Sequence, residues 1–498
     1  MSLLQLYINQ FEDMEFVSHL VPTMTMTGFL LHVMLVFTLI LTSTSAANIT
    51  TTNVTSLPGY YSGDLPFALE SGYIGIGDNE EVQIFYLFVE SEGAPADDPL
   101  LLWFNGGPGC SGLAGFFFES GPVTFKFGNY NGSLPAVLDN PFRWTKDVNM
   151  IYIDAPVGAG FSYSKTQSGY VMDDYKYVAQ SYEFLHKWLE AHPAYLENVL
   201  YIGGDSFSGI IVPMIVQQIL DGNENGTLPL MNLKGYVIGN PVTDTVIDTN
   251  ARIPYAHRLT LISDQLYQAA RTSCSGDYVN VNSSNDACIS DIDAIDALTN
   301  DINMLHILEP VCSDSLPRPK EKEIGTARRS LNDFPEGLLS SATNGPAYWC
   351  RSYNHMLAYI WANHPSVQDA LGVRRGTKRF WQYCNSTLAY TQEVTSVISL
   401  HQSLATVGLR ALIYSGDHDM TIPHIATQKW INLLNLTLNE TWRAWSVDNQ
   451  TAGYTKKFVN EVFNLTFATV KGGGHIAAEY KVKECSEMID RWMAQTPL

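Results

Sequence analysis

Charge is scarce in this chain of 498 residues, and positive charge is scarcer. Charged side chains make up 16%, with 29 Lys and Arg against 50 Asp and Glu, a formal net charge of −21. A surface this negative argues against nucleic acid or an anionic membrane as partner. Cysteine is also sparse, and none of the seven (Cys110, Cys274, Cys288, Cys312, Cys350, Cys384, Cys485) is spaced as CxxC, so no metal site and no cofactor is expected. No internal repeat or long low-complexity tract is visible. The apolar run Gly28 to Leu41 is short for a membrane span, no Lys or Arg precedes it, and Glu12, Asp13 and Glu15 lie upstream. With Ser45-Ala-Ala47 as a cleavage site, residues 1–47 read as a signal peptide and the mature chain begins near Asn48, leaving no stable membrane span. Translation from Met24 or Met26 would remove the upstream acids; a retained signal-anchor is the alternative.

What is present points to the secretory pathway. Sequons stand at Asn48, Asn53, Asn131, Asn225, Asn282, Asn385, Asn435, Asn439, Asn449 and Asn464, a density above that of a cytosolic enzyme. In an oxidising compartment the cysteines read as disulfides with one thiol left over. Hydrophobic residues make up 46%, enough for a well-packed globular body.

The stretch Asn198 to Pro213 (NVLYIGGDSFSGIIVP) reads as a buried strand, a turn of tiny residues around Ser206, and a helix. A serine at such an apex needs small neighbours two positions away, and Gly204 and Ser208 qualify, although the strict pattern has glycine at 208. An ordinary glycine-rich turn is the plain alternative. Two later stretches favour the nucleophile: Asp417-His-Asp419 after the strand-like Arg410 to Gly416, and Lys471-Gly-Gly-Gly-His475 after Leu465 to Val470. Each lies on a loop past a strand's carboxyl end, where α/β enzymes place their chemistry.

Upstream, Val82 to Val89 and Pro99 to Phe104 read as strands, and Asn105-Gly-Gly-Pro-Gly109 follows the second with backbone N–H groups free to bind an oxyanion. Met150 to Asp154 is a further strand. Tyr175 to His192 is an amphipathic helix with Val178, Tyr182, Leu185 and Leu189 on one face. The alternation predicts an α/β fold whose mostly parallel central sheet is flanked by helices. From about 243 to 346 the pattern becomes irregular, as in a helical insertion capping the site. Within it residues 318–330 are polar and locally basic, either a solvated loop or a linker open to excision.

Trp103-Phe-Asn-Gly-Gly-Pro-Gly-Cys-Ser111, Asp154-Ala-Pro-Val-Gly-Ala-Gly-Phe-Ser-Tyr163, Gly204-Asp-Ser-Phe-Ser-Gly209 and Gly473-Gly-His475 together resemble the serine carboxypeptidase family, in particular its plant serine carboxypeptidase-like branch. The likeness runs from about Leu57 to the carboxyl terminus and implies an α/β-hydrolase domain over 48–498. It implies Ser206 as nucleophile, His475 as base and Asp419 as acid, with Asp417 the second choice for the acid. It implies the N–H groups of Gly107 and Phe207 as oxyanion donors, and Asn105, Gly106, Glu119 and Asp205 as substrate-binding groups. It suggests the pairs Cys110–Cys384, Cys274–Cys288 and Cys312–Cys350, with Cys485 free; His257, His418 and His424 are structural by default.

Carboxypeptidases of this kind hold a peptide's terminal carboxylate with Asn, Gly and two glutamic acids that share protons. Here Asp205 replaces the second Glu, one methylene shorter, and a retraction of about 1.5 Å breaks a hydrogen bond that needs roughly 2.6–3.2 Å. Aspartate there is typical of family members that carry an acyl group from a 1-O-glucose ester to a small-metabolite alcohol, whereas Asn105 is the hydrolase-like residue. The resemblance therefore implies two readings. One is an acyltransferase using an acyl-glucose donor and an alcohol acceptor. The other is a carboxypeptidase acting on peptide C-termini at acidic pH. The address is the vacuole or the cell exterior.

Overall fold

The computed structural model describes residues 49–127, 130–312, 351–378 and 380–498. The expected signal segment, Asn48, the 318–330 linker and Cys350 lie outside the described residues. Eleven strands form one continuous path: β1 Thr50–Asn53, β2 Leu69–Ile76, β3 Val82–Val89, β4 Leu100–Phe104, β5 Asn149–Ile153, β6 Leu200–Asp205, β7 Leu233–Gly239, β8 Arg410–Gly416, β9 Thr437–Val447, β10 Gln450–Val459 and β11 Asn464–Val470. Their order across the sheet is β1-β2-β3-β5-β4-β6-β7-β8-β11-β10-β9, and Tyr163–Ser164 adds a short strand to β3.

The sheet is mixed. Its centre, β5-β4-β6-β7-β8-β11, is parallel throughout, while β1-β2-β3 and β10-β9 attach antiparallel at the two edges. Successive side chains alternate between two cores. Val82, Ile84, Tyr86 and Phe88 join Ile202, Ile238 and Ile413 on one face, and Phe85, Leu87 and Val89 join Leu101, Trp103, Val237 and Leu412 on the other. Every residue of β4 is at most 1% exposed. Burying each large apolar side chain contributes about 1.5–3 kcal/mol, so this run has no comparably stable solvent-facing alternative.

Helices cover both faces. The first core takes α1 (Asp174–Ala191) and α2 (Ser208–Glu224), through Phe184, Leu185 and Trp188 and through Ile210, Ile211 and Ile215. The Asp173 side chain accepts the Lys176 N–H and starts α1. On α1 the buried face is Tyr177, Val178, Ser181, Phe184, Leu185, Trp188 and Leu189, with Tyr182 only half-buried at its margin. After β7 come α3 (Thr245–Asn250), α4 (Arg252–Arg258), α5 (Asp264–Ser273) and α6 (Asp286–Thr299). The last three share a third, small core of Ile253, Tyr255, Ala256, Ile262, Ala270 and Ile295 that includes Met420, the neighbour of Asp419, while Ile247 of α3 packs against the first core. A Cys274–Cys288 disulfide links the end of α5 to α6; closing a loop of 14 residues is worth about 3 kcal/mol. The second face takes α7 (Arg351–Ala362) and, after α8 (His424–Asn432), α9 (Val482–Met493).

Candidate active site

Parallel strands all end on one side, so the loops after β4, β6, β7, β8 and β11 converge there. β6 runs directly into Ser206, whose φ of +54° is in the left-handed region. Its backbone is pinned at both ends: the Ser206 N–H donates to the Gly239 carbonyl at 2.9 Å, and its own carbonyl accepts from Gly209 and Val242. This pinning carries the strain of a non-glycine residue at positive φ. A Cβ on Gly106 would come within 2.6 Å of the Ser206 Cβ, and one on Gly204 within 2.5 Å of the Phe104 carbonyl, so both positions require glycine. Position 208 tolerates serine because its hydroxyl donates to that same Phe104 carbonyl at 3.2 Å.

His475 follows β11 and fills the gap to the serine, with Nε2 2.8 Å from Ser206 Oγ and Nδ1 2.8 Å from Asp419 Oδ2. With the proton on Nδ1, facing the carboxylate, Nε2 is left to accept the serine hydroxyl. Burial alone would depress the imidazole's pKa; the charge and hydrogen bond of Asp419, with a further push from Asp205, outweigh it and raise the value above that of a free histidine. Asp419 itself is wholly buried and receives the N–H groups of Thr421 and Ile422 at 2.7 and 3.2 Å.

One member of this arrangement had no counterpart among the sequence candidates. Asn240, just past β7 with φ +43°, donates its amide to Asp419 Oδ2 at 2.8 Å and accepts the Gly416 N–H at 3.1 Å. It fixes which way the carboxylate points. Asp417, the second choice for the acid, instead accepts the Gly472 N–H at 2.7 Å and lies 2.6 Å from His418 Nδ1. It ties the acid loop to the histidine loop and does not touch His475. His257 and His424 face Asp264 and Tyr255 respectively.

The Gly107 and Phe207 N–H groups make no hydrogen bond among the described residues, and Phe207 immediately precedes α2, whose amino-terminal dipole favours negative charge. Nearby lie three buried carboxyl groups. Asp205 accepts the Gly106 N–H on Oδ1 at 2.9 Å, while its buried Oδ2 has no partner. Glu119 receives Asn105 Nδ2 at 2.6 Å and Trp103 Nε1 at 2.9 Å. Burial first, then the charges of Asp205 and Glu479, push the Glu119 pKa well up; burial likewise lifts Asp205 to about 7, with the positive charge of His475 opposing. Glu479, which no motif singles out, shows the opposite outcome: burial works against its charge, but His355 and Arg351 outweigh it and hold the carboxyl below its ordinary value.

Cys110 and Cys384 are bonded beside this loop, Cys312 is disulfide-bonded with its expected partner outside the described residues, and Cys485 is a buried free thiol. Of the described sequon asparagines, Asn385 is half-buried, its amide donating to the Gly158 carbonyl at 3.1 Å, and the others are exposed. Among the described residues no cluster of His, Cys, Asp and Glu could hold a metal ion, and no helix is long and apolar enough to cross a membrane.

A sequence profile described as serine carboxypeptidase matches residues 58–495. The chain is 45% identical over 445 residues to serine carboxypeptidase-like 10 of Arabidopsis thaliana, covering 89% of this chain and 94% of the relative, and 43% identical over 447 residues to serine carboxypeptidase-like 19 of the same plant, with the same coverage. Among solved structures it resembles Kex1(delta)p, a prohormone-processing carboxypeptidase from Saccharomyces cerevisiae, with a TM-score of 0.66 at 19% identity over 86% of this chain and 92% of that one. A serine, imidazole and carboxylate in line, set on a mixed sheet between helices, accord with these likenesses: the chain belongs to the serine carboxypeptidase family, in its plant serine carboxypeptidase-like branch, and has the α/β-hydrolase fold.

Proposed function

We propose that this enzyme transfers an acyl group from a 1-O-glucose ester to the alcohol of a small metabolite, through an acyl-enzyme on Ser206. Ser206 Oγ attacks the ester carbonyl as His475 Nε2 takes its proton. The oxyanion lies between the Gly107 and Phe207 N–H groups. Collapse breaks the bond to glucose, which leaves with the proton from His475. The acceptor hydroxyl then gives its proton to His475 and attacks the acyl carbon, and Ser206 leaves with that proton. Asp419 holds the imidazole in the required tautomer and Asn240 holds Asp419.

The observation that carries this reading is the state of Asp205. Its carboxyl is drawn onto the Gly106 N–H, makes no hydrogen bond to Glu119, and keeps one buried oxygen unpartnered. The two-acid clamp that a peptide carboxylate requires is therefore not closed. With burial raising its pKa to about 7, the carboxyl holds its proton in acidic surroundings and can there donate its O–H to an uncharged oxygen of a sugar or ester. The hydrolytic reading, cleavage at peptide C-termini, is supported by Asn105, which donates to Glu119 as a clamp residue would. Both use the same acyl-enzyme. The disulfides and exposed sequons fit the secretory pathway, and the vacuole and the exterior are the compartments proposed.

Purified protein incubated with an acyl-glucose and a pool of alcohols should yield new esters, with little release of amino acid from a blocked dipeptide. Brisk dipeptide cleavage with no ester formed would replace the first reading by the second.

A further inference from the structure

The loop that delivers His475, Lys471-Gly-Gly-Gly474, has little stiffness of its own, because three successive glycines leave its backbone without side-chain restraint. The acid loop holds one side of it: the Gly472 N–H donates to Asp417 Oδ1 at 2.7 Å, and the Gly473 carbonyl accepts the His418 N–H at 2.9 Å. The other side is held by a strap of irregular backbone, Met304 to Ile307, that follows α6. Met304 and Ile307 seat this strap against the third core, which contains Met420. Its backbone then reaches both loops. The Met304 carbonyl accepts the N–H groups of Met420 and Thr421 at 2.9 and 3.1 Å, the Ile307 N–H donates to the His418 carbonyl at 3.2 Å, and the Leu305 carbonyl accepts the N–H of His475 itself at 2.7 Å. The approach is so close that a Cβ on Gly474 would lie 2.5 Å from the Leu305 carbonyl oxygen and 2.8 Å from the His306 ring, which accounts for glycine directly before His475.

His306 binds the same glycine loop through its side chain. The ring is buried, with Nε2 3.2 Å from the Gly472 carbonyl and Nδ1 accepting the Leu308 N–H at 3.3 Å. These neighbours fix the tautomer: the proton is on Nε2, which donates to Gly472. The ring lies nearly parallel to that of His418 at 5.5 Å and against Tyr480 at 4.7 Å; the charged groups around it are Glu309 and Arg351, themselves paired at 2.7 Å. Gly472 is thereby gripped from both sides, by Asp417 on its N–H and by His306 on its carbonyl. We infer that His306 is a positioning residue for the imidazole: its bond to Gly472 keys the strap onto the glycine loop and so holds His475 in line between Asp419 and Ser206. It acts through the loop and not on the reacting atoms. This rests on Ser206, Asp419 and His475 as nucleophile, acid and base, and adds the group that keeps them in register.

His306→Phe keeps a ring between His418 and Tyr480 but cannot donate to Gly472, whereas His306→Gln keeps a donor. The first readout is kcat for p-nitrophenol release from a p-nitrophenyl ester, per active site counted by fluorophosphonate labelling of the serine. The second is the pH dependence of that kcat. In His306→Phe the glycine loop is released on one side, and kcat should fall about tenfold with KM little changed. Asp419 raises the His475 pKa only while the two stay aligned, so the acid limb of the profile should also move down by about half a pH unit, a threefold change in proton affinity. His306→Gln should recover kcat to within about threefold of wild type. A variant that is merely less stable shows a lower melting temperature and neither change. A kcat within about twofold of wild type in His306→Phe, a loss with the acid limb unmoved, or equal losses in both variants would each reduce His306 to a packing residue and overturn the inference. Should His306→Phe fail to fold, as thermal melting would reveal, His306→Asn, whose amide ends short of the Nε2 position, is read against the same outcomes. Activity retained in Ser206→Ala would instead sink the assignment of the nucleophile, and the inference with it.

Discussion

Two groups of ionisable side chains sit together at the carboxyl ends of the central strands, and they are built on opposite principles. From Asp419 through His475 to Ser206 each group meets its complement at 2.8 Å, and the loops that carry them are cross-tied by backbone bonds such as His418 N–H to the Gly473 carbonyl. Glu119, Asp205 and Glu479 are like with like; the first two make no hydrogen bond to one another and are held by donors from elsewhere in the fold. The first group is set by geometry and changes function only when an atom is removed or moved. The second is set by which carboxyls hold protons, and a single charge nearby can rearrange it. On the reading proposed above, chemistry and substrate choice are given to different physics within one site.

The sharpest way to break this contrast is to remove one atom from the first group. Ser206→Ala should reduce acyl release from an aryl ester by on the order of 10⁴-fold or more, with thermal melting nearly unchanged. A variant that kept more than about a hundredth of the activity would mean that another group is the nucleophile. A smaller effect is expected one step out. Asn240→Gly removes the amide that orients Asp419 while keeping a residue at ease with φ of +43°, so it isolates the hydrogen bond from the backbone. Losing a bond to a charged group costs about 2 kcal/mol, so kcat should fall roughly 30-fold with KM little changed. A kcat within about twofold of wild type would reduce Asn240 to a packing residue.

How far each group could be read from sequence follows from the same contrast. Ser206, Asp419 and His475, the expected nucleophile, acid and base, sit within short motifs directly after buried strands, so β-strand hydrophobicity and a few small residues identify both the sheet's centre and the three side chains that the structure brings together. Asn240 occupies an equivalent place, between Gly239 at the end of β7 and Pro241, so the same strand-end signal marks it in the sequence. Glu479 has no such local signal: its partner Arg351 is 128 residues away in sequence, and its bearing on the site's charge arises only when the fold brings the two together. The antiparallel edge was similarly hidden. Asp448 and Asn449 form the two-residue turn between β9 and β10, both at positive φ as a tight hairpin requires, but in the sequence Asn449 also begins a sequon, which masks the turn signal.

The gentlest probe titrates the second group and leaves the first intact. Asp205 has an ordinary value of 3.8 that burial raises to about 7 in the folded protein. A carboxyl raised on folding binds its proton more tightly in the native state. Its contribution to stability is therefore full below the unfolded value and is lost as pH rises from about 4 to about 7. Asp205→Asn keeps an oxygen to accept the Gly106 N–H but cannot ionise, so its melting temperature should fall less steeply across that interval, by a few degrees. The slope should not vanish, because Glu119 is raised for the same first cause, burial, and Asp248, whose carboxyl accepts the Thr243 and Asp244 N–H groups, is lifted by burial to about 7 as well. Parallel melting curves for wild type and variant, measured at pH 4, 5, 6 and 7, would show that Asp205 is already ionised in the folded protein. In that case the site holds a fixed negative charge beside Ser206, and Asp205 could not donate a proton to an ester or sugar oxygen.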